Sequence, residues 1–155
     1  MILPISTVPK KHVLAAIYFV LLFSPTFSSY AQPAITNTRL AGAEQLSTEQ
    51  IQQAFSDVRD DALVQDAAGT TAVNIWYADG SFVNNWSNAE ASGRVTGRWR
   101  ALHDQRCIVI ESGLPEREGK EFCGAIYKQG EVYLSVNTDG SVHGRHRTTP
   151  LQGSH

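Results

Sequence analysis

The sequence has no excess of positive charge, and this absence argues against nucleic acid as a partner. Its 155 residues carry 13 Lys and Arg against 15 Asp and Glu. Without the first 31 residues, whose only charges are Lys10 and Lys11, the chain keeps 11 bases and 15 acids, a net charge of −4. Nucleic-acid binding usually needs a basic face on a basic domain. We therefore expect no nucleic-acid partner.

The sequence also lacks an apolar run long enough to cross a membrane. Its longest run, 13–23, has eleven residues, whereas a helix that spans a bilayer needs roughly 20. Lys10 and Lys11 precede this run and small residues up to Ala31 follow it, which is the order of a cleaved secretory signal peptide. No cysteine directly follows the run, which disfavours a lipid anchor. We expect a signal peptide over 1–31 and no stable membrane span after its cleavage.

Only two cysteines are present, and they are too far apart for a redox motif. Fifteen residues separate Cys107 from Cys123, whereas a C-x-x-C pair would be needed for dithiol chemistry. Export would place both in an oxidising compartment, where a disulfide is the default. We expect a structural disulfide in a protein of the Gram-negative periplasm or the medium.

No local catalytic signature occurs in the chain. There is no G-x-S-x-G nucleophile elbow, and the adjacent acids Asp60 and Asp61 are interpreted as solvated residues that follow a helix. Asp79 and Asp139 are typical turn residues because each precedes a glycine. The sequence therefore predicts no enzyme activity and no cofactor.

A metal site is not expected from the histidines. His143 and His146 could act as ligands, with His103 and His155 as further donors. Positions 143 and 146 differ by an odd number, so on a regular strand their side chains point to opposite faces. Their spacing matches no zinc pattern. We interpret these histidines as polar residues near the end of the chain.

The clearest helix signal begins at residue 46. Ser47 can cap the helix and Gln50 can complete a capping box, while Leu46 and Ile51 form a hydrophobic staple. An apolar stripe at helical spacing continues to a predicted end near 59–60. Such a short helix cannot fold alone, so this stripe must dock on other elements.

The rest of the chain has the patterns of strands and tight turns. Hairpin turns are predicted at Asp79-Gly80, Gln129-Gly130 and Asp139-Gly140. The predicted strands cover 62–66, 71–78, 81–87, 93–101, 106–112, 121–128, 131–137 and 141–147. The expected fold is mainly β, with one short N-terminal helix packed on an antiparallel meander of about eight strands, curled into a barrel or half-barrel. The predicted boundaries are a flexible leader over 32–45, a single β-rich domain over 46–148 and a tail over 149–155.

The register of hairpin 71–87 is left open by the sequence. A two-residue turn would place Ile75 and Phe82 on the same face. A three-residue turn with a bulge at Gly80 would instead pair Trp76 with Phe82. Because a slip of one residue moves every side chain to the other face, the two alternatives predict different cores.

Four arginines lie close together in the sequence and are interpreted as solvated faces of strands: Arg94, Arg98, Arg100 and Arg106. Tryptophans usually fill a core. An alternative is that Trp76 and Trp86 line a pocket in the curled sheet, with the arginines of strand 93–101 nearby. The candidate ligand or partner face is therefore Trp76, Trp86, Arg94, Arg98 and Arg100.

The order of turns, aromatics and cysteines is also informative. A helix opening with Leu46-Ser47 is followed by further motifs in this order: Tyr77 with Asp79-Gly80, Gly97-Arg98-Trp99, Cys107, Cys123, Tyr127 with Gly130 and Tyr133, and Asp139-Gly140. Over 46–147 this order resembles small exported proteobacterial β-proteins of unknown function. The resemblance implies a periplasmic or secreted β domain with a conventional disulfide, and it supplies no catalytic residues.

Two functions remain as hypotheses. The first is a non-catalytic binding or accessory module that contacts another periplasmic or envelope protein through its sheet or the loop 113–120. The second is a carrier of a small apolar or anionic ligand in the mouth of the curled sheet.

Overall fold

An antiparallel β-barrel forms most of the chain that the computed structural model describes, residues 40–153. The elements are β1 Glu44–Gln45, α1 Thr48–Phe55, β2 Val58–Val64, β3 Thr71–Trp76, β4 Ser81–Ser87, β5 Ser92–Leu102, β6 Gln105–Ser112, a 3₁₀ turn Pro115–Arg117, β7 Glu121–Gln129, β8 Val132–Val136 and β9 Val142–Pro150. Each strand from β2 to β9 pairs with the next, and β9 pairs with β2. The predicted meander of about eight strands is confirmed, and it closes into a complete barrel. The predicted signal peptide lies outside the described residues.

The short strand β1 adds to the barrel from outside. Glu44 and Gln45 pair with Lys128 and Tyr127 of β7, beyond the point where β6 begins. Residues 40–45, which belong to the predicted leader, therefore lie on the barrel wall. At the other end, β9 continues to Pro150, past the predicted domain boundary at 148.

Helix α1 covers one end of the barrel. The predicted capping box is present: the Gln50 amide donates to Ser47 Oγ at 3.3 Å, and the Ser47 amide donates to Gln50 Oε1 at 2.8 Å. Ile51 and Phe55 are fully buried at the barrel end. Within residues 40–153, this eight-residue segment is the α-helix, and no helix there is long and apolar enough to span a membrane.

The end of α1 corrects the sequence prediction. The helix stops at Phe55 instead of near 59–60, because Ser56 is extended and Asp57 has a positive φ of 52°. The chain then reverses directly into β2, four residues before the predicted strand. Val58, which continued the helical stripe, is buried as an inward-facing strand residue instead.

The 71–87 hairpin adopts the three-residue turn with a bulge. Trp76 pairs with Phe82 and Ile75 with Val83. The Tyr77 amide donates to the carbonyl of Ser81, and Gly80 supplies the positive φ of 81° that the turn requires. Trp76 and Phe82 therefore both face the interior, where their ring centroids are 5.0 Å apart.

Cys107 and Cys123 are bonded across neighbouring strands, as predicted. They occupy directly paired positions on β6 and β7. The disulfide therefore fastens together the two strands that the 113–120 loop connects.

Removing the disulfide should lower stability without changing the fold. We expect the Cys107→Ser/Cys123→Ser variant to lose about 3 kcal/mol of unfolding free energy, since the bridge closes a loop with a separation of 16 residues. Urea denaturation of both proteins would measure this. An equal midpoint for the two would contradict a stabilising role.

The two ends of the barrel differ in what covers them. At one end, α1 and a cluster of apolar residues fill the interior as a floor: Leu46, Ile51, Phe55, Val58, Trp76, Phe82, Trp99 and Ile126. At the opposite end the strands are joined by the connections 65–70, 88–91, 113–120 and 137–141. These connections surround an open mouth.

Candidate ligand-binding site

A cavity of about 710 Å³ occupies the open half of the barrel. Apolar side chains from β5, β6 and the following loop form much of its wall: Val95, Ile108, Ile110 and Leu114. Asp66, Arg117 and His143 lie at its mouth. A smaller cavity of about 480 Å³ adjoins it, and both contact Arg106. The space is large enough for a ligand of some tens of atoms, because small-molecule pockets commonly enclose roughly 300–1,000 Å³.

Asp60 is the centre of a polar network inside the barrel. Its Oδ2 accepts hydrogen bonds from Asn74 Nδ2 at 3.0 Å, Trp76 Nε1 at 3.0 Å and His146 Nδ1 at 2.9 Å. Asn84 extends the network by donating to Asn74 Oδ1 at 2.6 Å. A fully buried carboxylate needs such donors because desolvation otherwise strongly disfavours its charge.

The electrostatic surroundings keep Asp60 ionised. Burial raises its pKa, but the hydrogen bond and charge of His146, the charge of Arg106 and the Trp76 hydrogen bond together lower it below its ordinary value. The carboxylate is therefore an acceptor, so His146 Nδ1 carries the hydrogen between them.

His146 connects Asp60 to Ser135 on the neighbouring strand. His146 Nε2 lies 2.9 Å from Ser135 Oγ, so the two atoms share a hydrogen bond. Gly144 pairs with Ser135, and a Cβ at this glycine would lie 3.3 Å from His146 Nε2 and 3.4 Å from Ser135 Oγ. The absence of a side chain at residue 144 therefore leaves room beside this hydrogen bond.

This connectivity matches that of a Ser-His-Asp triad, but its surroundings favour a structural role. Asp60, His146 and Ser135 are 0%, 5% and 7% exposed. Ser135 pairs with β7 on one side and β9 on the other. The backbone amides beside it are thus committed to the sheet, whereas acyl transfer requires free donors for the oxyanion. The network instead fixes the polar wall of the cavity.

Arg106 faces the interior and has no polar partner for one of its nitrogens. Its Nη1 is buried and makes no hydrogen bond within the described part of the chain. The guanidinium carbon lies 4.4 Å from the ring centroids of both Phe55 and Trp76. Burial lowers the pKa of Arg106 to about 10, against the opposing charge of Asp60, so the group stays positive at neutral pH.

Trp86 supplies a second unpaired donor. Its indole Nε1 is buried without a hydrogen-bond partner among residues 40–153, and the side chain lines the main cavity. The ring lies against Gly93 on the neighbouring strand, where a Cβ would come within 2.7 Å of Nε1. Gly93 therefore makes this position of the indole possible.

No family model, curated protein or solved structure matches this chain. The function must therefore be argued from the geometry of the barrel itself.

The predicted ligand face is divided between two sides of the barrel wall. Trp76 and Trp86 line the cavity. Arg94, Arg98 and Arg100 are exposed on the outer side of β5. The structure therefore brings the two tryptophans together at the site and leaves these three arginines outside it.

The sequence predicts solvent-exposed positions for three polar residues that the structure places in the barrel interior. Asp60 shares its strand face with the buried Val58 and Ala62, an alternation that was available in the sequence. Arg106 likewise shares its strand face with Ile108 and Ile110, both of which line the cavity. His146 is buried by the pairing of β9 with β2 and β8, which no local pattern reveals.

His143 and His146 are not separated on opposite sides of the barrel wall as predicted. A register shift opposite Val136 interrupts the alternation of β9, so both His143 and His146 line the main cavity. Cys107, Cys123 and Glu121 also lie close together. Because the two sulfurs are bonded to each other, this group is not a metal site.

Proposed function

We propose that this chain is an exported binding protein that carries a small molecule inside its barrel. The observation that supports this most strongly is the pair of unpaired donors, Trp86 Nε1 and Arg106 Nη1, on the wall of one cavity. A buried donor left without an acceptor costs about 1–3 kcal/mol, and more when it is charged. A ligand with acceptor groups would remove that cost on binding.

The composition of the wall supports the same proposal. Small-molecule sites are mainly apolar with a few well-placed polar groups. Here Val95, Ile108 and Ile110 provide apolar surface, and the network behind Asn74 and Asn84 holds the polar groups rigidly. A rigid site loses little conformational entropy when it binds.

The proposed location rests on the sequence and on the disulfide. The signal-peptide pattern over 1–31 and the resemblance to exported proteobacterial β-proteins favour the periplasm or the medium. A bonded pair at Cys107 and Cys123 is what an oxidising compartment would produce.

Contact with a protein partner is the competing proposal. Leu114 and Arg117 of the 113–120 loop line the cavity mouth, so a partner bound there would compete with a ligand. A protein partner that binds with the same affinity whether or not the cavity holds a ligand would favour the accessory module.

Filling the cavity should abolish ligand binding selectively. Ala72 is buried and lines the cavity, whereas the adjacent Val73 points to the outer side of β3. We expect Ala72→Phe to weaken binding of the fluorescent probe anilinonaphthalene sulfonate by about tenfold or more, while Val73→Phe binds as the wild type does. Circular dichroism would check that both variants are folded. Equal weakening, or none, would contradict binding inside the barrel.

A further inference from the structure

We propose that the ligand is an amphipathic carboxylate whose head group binds Arg106. This inference rests on the proposed function and names the chemical class of its ligand. It follows from the charges inside the barrel, the orientation of Arg106 and the surface between that residue and the mouth.

Arg106 is a partly buried charge without an ion pair, and its Nη1 is fully buried. Charged groups inside proteins are normally paired, because removing an isolated charge from water is expensive. The described salt bridges involve Arg59, Arg100 and His146, and Arg106 takes part in none of them. A neutral acceptor would satisfy its Nη1 hydrogen, but only an anion would also balance its charge.

Asp60 does not fill this role, although its charge attracts Arg106. The carboxylate already accepts hydrogen bonds from Asn74, Trp76 and His146. It is separated from the guanidinium by more than an ion-pair distance, since no hydrogen bond or salt bridge joins the two among the described residues. Asp60 therefore attracts Arg106 but leaves its Nη1 donor without an acceptor.

The aromatic contacts of Arg106 do not satisfy its hydrogen-bond donors. Its guanidinium carbon lies 4.4 Å from the ring centroids of Phe55 and Trp76, and because these rings are at 88° to each other, the group can stack face to face on only one of them. Such stacking leaves the in-plane N–H groups for hydrogen bonds, and Nη1 has no acceptor among the described residues. A carboxylate matches this arrangement because its two oxygens can accept two parallel N–H donors.

The rest of the cavity suits an apolar body that extends toward the mouth. Ile108 and Ile110 follow Arg106 on the same face of β6, and Leu114 lies farther along toward the opening. Trp86 Nε1 offers one more donor on this path. At the mouth, Arg117 and His143 face a single acid, Asp66, among the titratable groups that line the main cavity there.

The decisive experiment compares the affinity of each carboxylate with that of its neutral primary amide. Straight-chain alkyl carboxylates and naphthyl carboxylates would be titrated against their primary amides, using wild type, Arg106→Gln and the outer-face control Arg94→Gln. We expect at least one series of carboxylates to bind about tenfold or more tightly than its amides in wild type and Arg94→Gln. In Arg106→Gln this preference should shrink to about twofold or less.

A second variant, Arg106→Lys, keeps the proposal testable if Arg106→Gln does not fold. Arg106→Lys keeps the charge but loses the planar pair of donors, so it should retain only part of the preference. The series that shows the preference would distinguish an acyl-chain ligand from an aromatic acid.

Three results would overturn the inference. The first is equal affinity for acids and amides, and the second is a preference that survives in Arg106→Gln. The third is failure of every carboxylate to bind. In the first two cases binding itself still supports the carrier proposal, and the Ala72→Phe comparison tests that proposal separately.

Discussion

Replacing Asp60 with Asn should destabilise the protein by about 3–5 kcal/mol, the cost of removing one partner from a buried charge network. The variant would turn an NH₂ group toward a site where Asn74, Trp76 and His146 already donate. It would also remove the negative charge that attracts Arg106. Urea denaturation at neutral pH would measure the loss.

Asp61 offers a matched control one residue away. It forms an ion pair with Arg59 at 2.7 Å, and both side chains are about half exposed. Because exposed pairs contribute about 0–1 kcal/mol, Asp61→Asn should change stability by no more than that. If the two variants lost the same stability, the interior network would not be the stabilising element that the structure indicates.

The lowered pKa of Asp60 also determines how the free energy of unfolding should change at acidic pH. Burial raises the pKa of Asp60, but the hydrogen bond and charge of His146, the charge of Arg106 and the Trp76 hydrogen bond together hold it below its ordinary value. A lowered pKa in the folded state means that the ionised group stabilises the fold above about pH 4, and that this contribution is lost as the pH falls further. The stability gap between wild type and Asp60→Asn should therefore narrow from neutral pH to about pH 3. A gap that stays constant or widens would contradict this assignment.

Phe55→Ala should be the second large effect, at about 3–5 kcal/mol, as for other buried phenylalanines. Phe55 is fully buried and its ring meets those of Trp76, Tyr133 and His146 at centroid distances of 6.1, 5.4 and 6.3 Å. It also supports the guanidinium of Arg106. The variant should therefore lose carboxylate affinity along with stability.

Phe122→Ala makes the same chemical change at a less enclosed position. Phe122 is partly buried on β7 and stacks with Arg117 at 4.3 Å. We expect a loss of about 1 kcal/mol, typical of a partly exposed substitution. Thermal or urea denaturation would rank the two variants. A loss in Phe55→Ala no greater than in Phe122→Ala would contradict the role of α1 as the barrel floor.

Local chemistry made much of the fold predictable. The capping box at Ser47, the Asp-Gly turns and the alternation around Trp99 each depend on neighbouring residues, and all appear where the sequence placed them. The pairing of Cys107 with Cys123 followed from their spacing and from expected export. The register of hairpin 71–87 could not be predicted from the sequence, because both faces of that hairpin are partly apolar. Only the closed barrel determines which face is buried.

The polar site was harder to foresee because its members are joined only by tertiary structure. Asp60 and His146 are 86 residues apart and meet where β2 and β9 close the barrel. An ionised residue inside a strand looks solvated unless its distant partner is known. The inward position of Arg106 could have been predicted, because Arg106 shares its strand face with the apolar residues Ile108 and Ile110.

The end of α1 shows how one periodicity can conceal another. Ile51, Phe55 and Val58 are spaced as on one helical face, yet Val58 is the first inward residue of β2. Asp57, at a positive φ, makes the reversal, and its carboxylate accepts from the Ala78 amide at 2.9 Å. Aspartate tolerates this conformation better than most residues, which was a weak sign of the boundary.

Native mass spectrometry tests the central proposal most directly. The protein would be purified from the periplasm without reductant and compared with Ala72→Phe prepared in the same way. We expect a mass excess in the wild type that disappears on denaturation, is reduced or absent in Ala72→Phe, and belongs to a small organic acid. Bare wild-type protein, still bare after incubation with an extract of cellular small molecules, would contradict a carrier function.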